Sequence, residues 1–91
     1  MAMVARRSKL DPDLGRWLSE APVDAARTVL VRLGPAGDPH RAGERLRELG
    51  AELQDVGSSV IVVRATPPVL RHIADLPWVV SVELPQRLSL A

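Results

Sequence analysis

The sequence predicts an α+β sandwich, with four antiparallel strands in one sheet, two helices on one of its faces and a short extra helix at the N-terminus. Four β-branched or alternating runs carry the strands: residues 28–33 (TVLVRL), 51–56 (AELQDV), 59–66 (SVIVVRAT) and 79–84 (VVSVEL). Stretches with apolar residues at helical spacing separate the first run from the second and the third from the fourth. Only Gly57-Ser58 lies between the middle two, room for a turn and nothing more. The order β-α-β-β-α-β is the split βαβ arrangement of ferredoxin-like domains, which leaves one face of the sheet free of helices.

Each element has local chemistry behind it. Asp11-Pro12 opens the N-terminal helix, since Asp accepts from unpaired amides and Pro suits the first helical position. Leu14, Trp17 and Leu18 then fall on one side, with Gly15 weakening the helix. Residues 21–27 form a connector to the first strand. Asp38-Pro39 opens the next helix, with Ala42, Leu46 and Leu49 as its apolar face, and Gly50 follows where a left-handed terminus favours glycine. Gly57-Ser58 suits a two-residue hairpin turn with glycine first. Thr66-Pro67 opens the last helix, with Val69, Ile73 and Leu76 on one face. The expected organisation is a leader, short helix and connector over residues 1–27, then the ferredoxin-like domain and its extended tail over residues 28–91.

Alternation assigns the strand faces. Val29, Val31 and Leu33 point one way and Leu30 and Arg32 the other; Ile61, Val63 and Ala65 alternate with Val60, Val62 and Arg64. With Leu46, Leu49, Ile73, Leu76, Val80 and Val82, the first set of each strand forms the expected core. A strand in a sheet covered on one side should show polar residues on its open face. Here Leu30, Val60 and Val62 are apolar instead. Either they form an exposed contact patch, or the Trp17 helix folds over them.

Composition narrows the function. Ninety-one residues with 46% apolar content make one globular domain. Twelve basic and eleven acidic residues nearly cancel, so nucleic acid is not an expected partner. No run is long enough to span a membrane, and residues 1–10 lack the apolar core of a secretory signal. The expected location is therefore cytoplasmic, unless the chain is cut from a precursor. Without Cys there is no disulfide, thiolate metal site or thiol nucleophile, and no cofactor is expected.

Catalysis finds few ingredients. His40 stands just inside a helix start, and His72, between Val69 and Leu76, is expected at the edge of the core. Neither belongs to a hydrolytic triad or a zinc-ligand spacing. The central strands carry Val and Ile where an RNA-recognition motif needs stacking aromatics. Acylphosphatase-like enzymes use an Asn, and the chain has none. Gly34-Pro35-Ala36-Gly37 is glycine-rich, but Pro35 removes a donor and no P-loop pattern follows. The charged residues of the Arg41–Glu48 stretch decorate a solvated face. The chain is expected not to be an enzyme.

Residues 46–88 (LRELGAELQDVGSSVIVVRATPPVLRHIADLPWVVSVELPQRL) resemble the inhibitor I9 family, the propeptide domains of subtilisin-like serine proteases and their stand-alone inhibitor relatives. The motifs are the Leu-Gly-Ala entry to the second strand, the apolar third strand, and the close LPWVVSVE over residues 76–83. Residues 9–33 also resemble the leader and first strand preceding some bacterial subtilisin-like protease domains. The resemblance implies a partner and a mechanism. The open face, with Leu30, Val60 and Val62, would lie on two helices of a subtilisin-like protease. Glu83, the acid of a Val-x-x-Val-Glu motif, would cap a protease helix. The tail would enter the substrate cleft as an added strand, ending in Leu88, Ser89, Leu90 and Ala91 with Leu88 and Ala91 facing pockets. The family often has a second acid two positions after the first, where this chain has Pro85, so the strength of capping is open. Apart from the resemblance, such a terminus reads as a frayed end.

Three readings therefore stand: a propeptide-like inhibitor or folding assistant, a regulatory or scaffold domain that forms a homodimer through its open face, and a small-ligand sensor. A tail ordered only against a protease favours the first. A symmetric dimer burying Leu30, Val60 and Val62 favours the second, and a polar pocket between subunits the third.

Overall fold

The computed structural model describes residues 9–35 and 37–85. Its elements are α1 (Pro12–Glu20), β1 (Arg27–Leu33), α2 (Pro39–Glu48), β2 (Glu52–Val56), β3 (Val60–Ala65), α3 (Pro67–Ala74) and β4 (Val79–Glu83). The four strands form one antiparallel sheet in the order β2-β3-β1-β4. This is the ferredoxin-like α+β arrangement with a small N-terminal helix.

Sequence chemistry explains most boundaries. Asp11 accepts from the Asp13 amide at 3.1 Å and Asp38 from the His40 amide at 3.0 Å, and each is followed by Pro. Thr66 begins α3 without a side-chain bond, so there the two prolines and the extended backbone of Thr66 mark the start. Gly50 has φ 108°, the left-handed conformation that ends α2. The β2–β3 turn departs from expectation by one residue. Gly57 donates to the Val60 carbonyl at 2.8 Å, which leaves Ser58-Ser59 at the centre. Gly57 serves close approach instead, because a Cβ there would sit 3.0 Å from the Val60 oxygen.

The core lies between the sheet and the helices. Val29, Val31 and Leu33 of β1, Ile61, Val63 and Ala65 of β3, and Val79 and Val82 of β4 face it. Ala42 and Leu46 of α2 and Leu70 and Ile73 of α3 close it from above, with Leu14 and Leu18 of α1. No polar or charged side chain among the described residues is buried.

Several core expectations need correction. Val80 is 51% exposed, and Val79 takes the inward place. The cause is a bulge: Arg32 pairs with Ser81 but Leu33 with Val79, so Val80 is an extra residue that breaks the alternation. His72 is exposed, and Leu70 occupies the buried position beside Ile73. Helix α3 starts at Pro67, and Pro67, Leu70 and Ile73 share its inner face; Val69 and Leu76 are only half-buried, Leu76 lying beyond the helix. Leu49 is likewise half-buried, at the end of α2.

Helix α1 shares the helical side of the sheet. The Arg71 guanidinium of α3 donates to the Leu18 carbonyl at 2.9 Å. Arg27 lies over the Trp17 ring at 5.4 Å and pairs in the sheet with buried Ala65. Ahead of α1, Leu10 forms a parallel bridge with Val82 at the outer edge of β4. At the opposite edge, β2 carries a second register shift between Leu53 and Asp55.

Candidate protein-interaction surface

The face of the sheet away from the helices is built by strand pairing alone. Leu30 stands opposite Val62 on one side and Glu83 on the other. One step along, Arg32 stands between Val60 and Ser81, and one step the other way Thr28 pairs with Arg64, itself opposite Glu52. Leu30, Val60 and Val62 thus come together in the middle of the sheet. They are half-buried by their neighbours, and none of them packs against the core cluster. Trp17 does pack against that cluster, from the other side. Of the two expectations for this patch, cover by the Trp17 helix is therefore the one the structure corrects: Leu14 and Leu18 draw that helix into the core instead.

Polar groups border the patch. The Thr28 hydroxyl donates to Gln54 Oε1 at 3.3 Å. Arg32 holds Glu83 through Nε to Oε2 and Nη2 to Oε1, both at 3.3 Å, a fork-on-fork pairing. The Ser81 hydroxyl donates to Glu83 Oε2 at 2.8 Å. The hydrogen bonds from Arg32, and then that from Ser81, hold the Glu83 carboxyl below the usual carboxylate range. The same pairing raises the Arg32 guanidinium. Glu83 therefore stays ionised at neutral pH, with side-chain exposure of 36%.

A cleft opens beside this pair, bordered by Leu10, Asp11, Leu30, Arg32, Glu83 and Leu84. No pattern in the sequence marks it, since residues 9–12 come to β4 only through tertiary folding. Leu88, Ser89, Leu90 and Ala91 lie outside the described residues. His40 and His72 are both exposed, and among the described residues no three potential metal ligands gather. The surface offers apolar contact, a fixed ion pair and hydrogen bonds, which is the chemistry of recognition. No helix among the described residues is long and apolar enough to cross a membrane.

The fold resembles that of a chain in the structure of the Clostridium perfringens CspB protease, with a TM-score of 0.66 over 99% of this chain and 100% of that one, at 19% identity. The likeness is one of fold. No family model matches the sequence, and no curated protein does.

Proposed function

We propose that this chain is a propeptide-like module that binds a subtilisin-like serine protease, inhibiting it or assisting its folding, through the open sheet face and the C-terminal tail. The observation that carries the reading is the apolar centre of a helix-free face, Leu30, Val60 and Val62, lying off the core with Glu83 at its border. Two further points support it. The similar chain belongs to a structure described as a protease, and a 91-residue sequence covers 100% of it, so that chain is itself of domain size. The motifs of residues 76–83 resemble the inhibitor I9 close. On this reading the module performs no hydrolytic, redox or phosphoryl-transfer chemistry itself.

Glu83 has a constrained part in this mechanism. A carboxylate accepts about four hydrogen bonds, and Arg32 with Ser81 already supplies three. Capping amides on a protease helix would share Glu83 with these partners rather than meet it free. The tail carries more of the interaction, through backbone hydrogen bonds and a filled pocket.

The test is inhibition of a subtilisin-like protease from the same genome by the intact protein, by protein lacking residues 88–91, and by Glu83→Ala. Truncation should weaken inhibition strongly, and Glu83→Ala by only about two- to five-fold, as for one charge at an exposed helix terminus. Equal potency of all three would exclude this mechanism. It would favour self-association through the open face, which sedimentation of Leu30→Asp against the unaltered protein would then examine.

A further inference from the structure

Residues 9–11 are bound along β4 by more than the single bridge at Leu10. The Val82 amide donates to the Lys9 carbonyl at 2.9 Å, and the Asp11 amide returns a bond to the Val82 carbonyl at 3.0 Å. Lys9 Nζ donates to the Leu76 carbonyl at 2.8 Å, just before the strand begins. The Asp11 carboxylate divides its oxygens. Oδ1 accepts from the Asp13 amide and caps α1, while Oδ2 accepts from the Leu84 amide at 3.4 Å. Leu84 is the first residue after β4 and Pro85 is the next.

We propose that Asp11 is a positioning residue for the C-terminal tail: seated between α1 and the edge of β4, its carboxylate holds the Leu84 amide and sets the direction in which the chain leaves the sheet. The inference rests on the tail-binding mechanism proposed above. Its reasoning is geometric. Leu14 and Leu18 fix α1 in the core, and the bond pair to Val82 fixes Asp11 against β4. The contact to Leu84 is longer than these, and it is held in place by them. Proline then extends the constraint. A residue before Pro is confined to extended backbone, and Pro fixes its own φ near −65°. A direction set at the Leu84 amide therefore carries into Pro85, the root of the tail. A tail whose root is fixed before docking loses less freedom on binding at that root, which raises affinity without any added contact to the partner. Pro85, where the resembling family often has an acid, gains a role of its own here.

Asp11→Ser separates the two jobs of the carboxylate. Serine caps a helix about as well as aspartate, but its single short hydroxyl cannot also reach Leu84. In the free protein, ¹⁵N relaxation should give Leu84 an order parameter near the rigid value of about 0.85, falling below about 0.6 in Asp11→Ser while Val82 stays rigid. An unchanged Leu84 in the variant would overturn the proposal. Asp11→Asn, which keeps one accepting oxygen for two donors, gives a partial fall and serves if the serine variant does not fold. In the protease assay, Asp11→Ser should weaken the intact protein by about 3- to 10-fold and leave protein lacking residues 88–91 unaffected. Equal losses with and without the tail would make Asp11 a structural residue only and overturn its positioning role. Absence of inhibition by the unaltered protein would instead overturn the protease reading, with Leu84 relaxation still deciding whether Asp11 holds the tail root.

Discussion

Ile73 is fully buried between α3 and the sheet, so its removal leaves a hole that neighbours close only in part. Ile73→Ala should cost about 2–5 kcal/mol in urea unfolding, whereas Val80→Ala, at an exposed bulge, should stay within about 0.5 kcal/mol. Sequence alternation placed Val80 inside because period-two counting assumes an unbroken ladder, and nothing in VVSVE marks which residue is extra. His72 lies outside the core for a related reason: the spacing of Val69 and Leu76 points to a different inner face from the one presented by a helix that starts at Pro67 and ends before Leu76. Glu83 offers a pH test. Its carboxyl is lowered in the folded chain, so its contribution is present above the unfolded pKa of about 4.3 and is lost as pH falls through the lower folded value. Intact protein and Glu83→Gln should therefore differ in unfolding free energy at pH 7 and converge in acid. The difference should be small, as for any half-exposed ion pair.

Single turns and caps decide how the elements join. Gly50 adopts φ 108°, and a Cβ there would also lie 3.2 Å from Val69 Cγ2. Gly50→Ala should therefore lower stability by about 1 kcal/mol or more, read as a shift in thermal midpoint. That glycine was legible in the sequence because its reason is local: one residue, one backbone conformation, at the end of an amphipathic run. The Asp11 and Asp38 caps were legible on the same ground. The Ser58-Ser59 turn was not, because its register depends on how β3 pairs with both β2 and β1; the Ser59 carbonyl accepts from Leu33 across the sheet. Elements whose cause lies within a few residues can be read from sequence, and those fixed by a partner strand cannot.

For the molecule as a whole, strand order and layer arrangement followed from periodicity and connection length, but the place of α1 did not. An amphipathic helix can cover either face, and only packing brings Leu14 and Leu18 to 0% and 4% exposure in the common core. The open face follows from that placement, and so does the union of Leu30, Val60 and Val62 at its centre. Sequence could name those three and Glu83; the Arg32–Glu83–Ser81 network needed the register of β1 and β4. Leu14→Ala should destabilise the entire sandwich by about 2–5 kcal/mol rather than melt α1 alone, a distinction that coincident unfolding at Trp17 and by circular dichroism would check.

The seating of residues 9–11 along β4 has one more consequence. An outermost strand ordinarily displays a row of amides and carbonyls on which a neighbouring molecule can begin a ribbon. Here the chain occupies part of one such row with its own N-terminal segment, and the other outer strand is kinked and bears Glu52 and Asp55. A protease trimming the first eleven residues would strip the β4 row bare. The trimmed protein should then polymerise at concentrations where the intact one stays dispersed, and light scattering of the two, side by side, would show the difference.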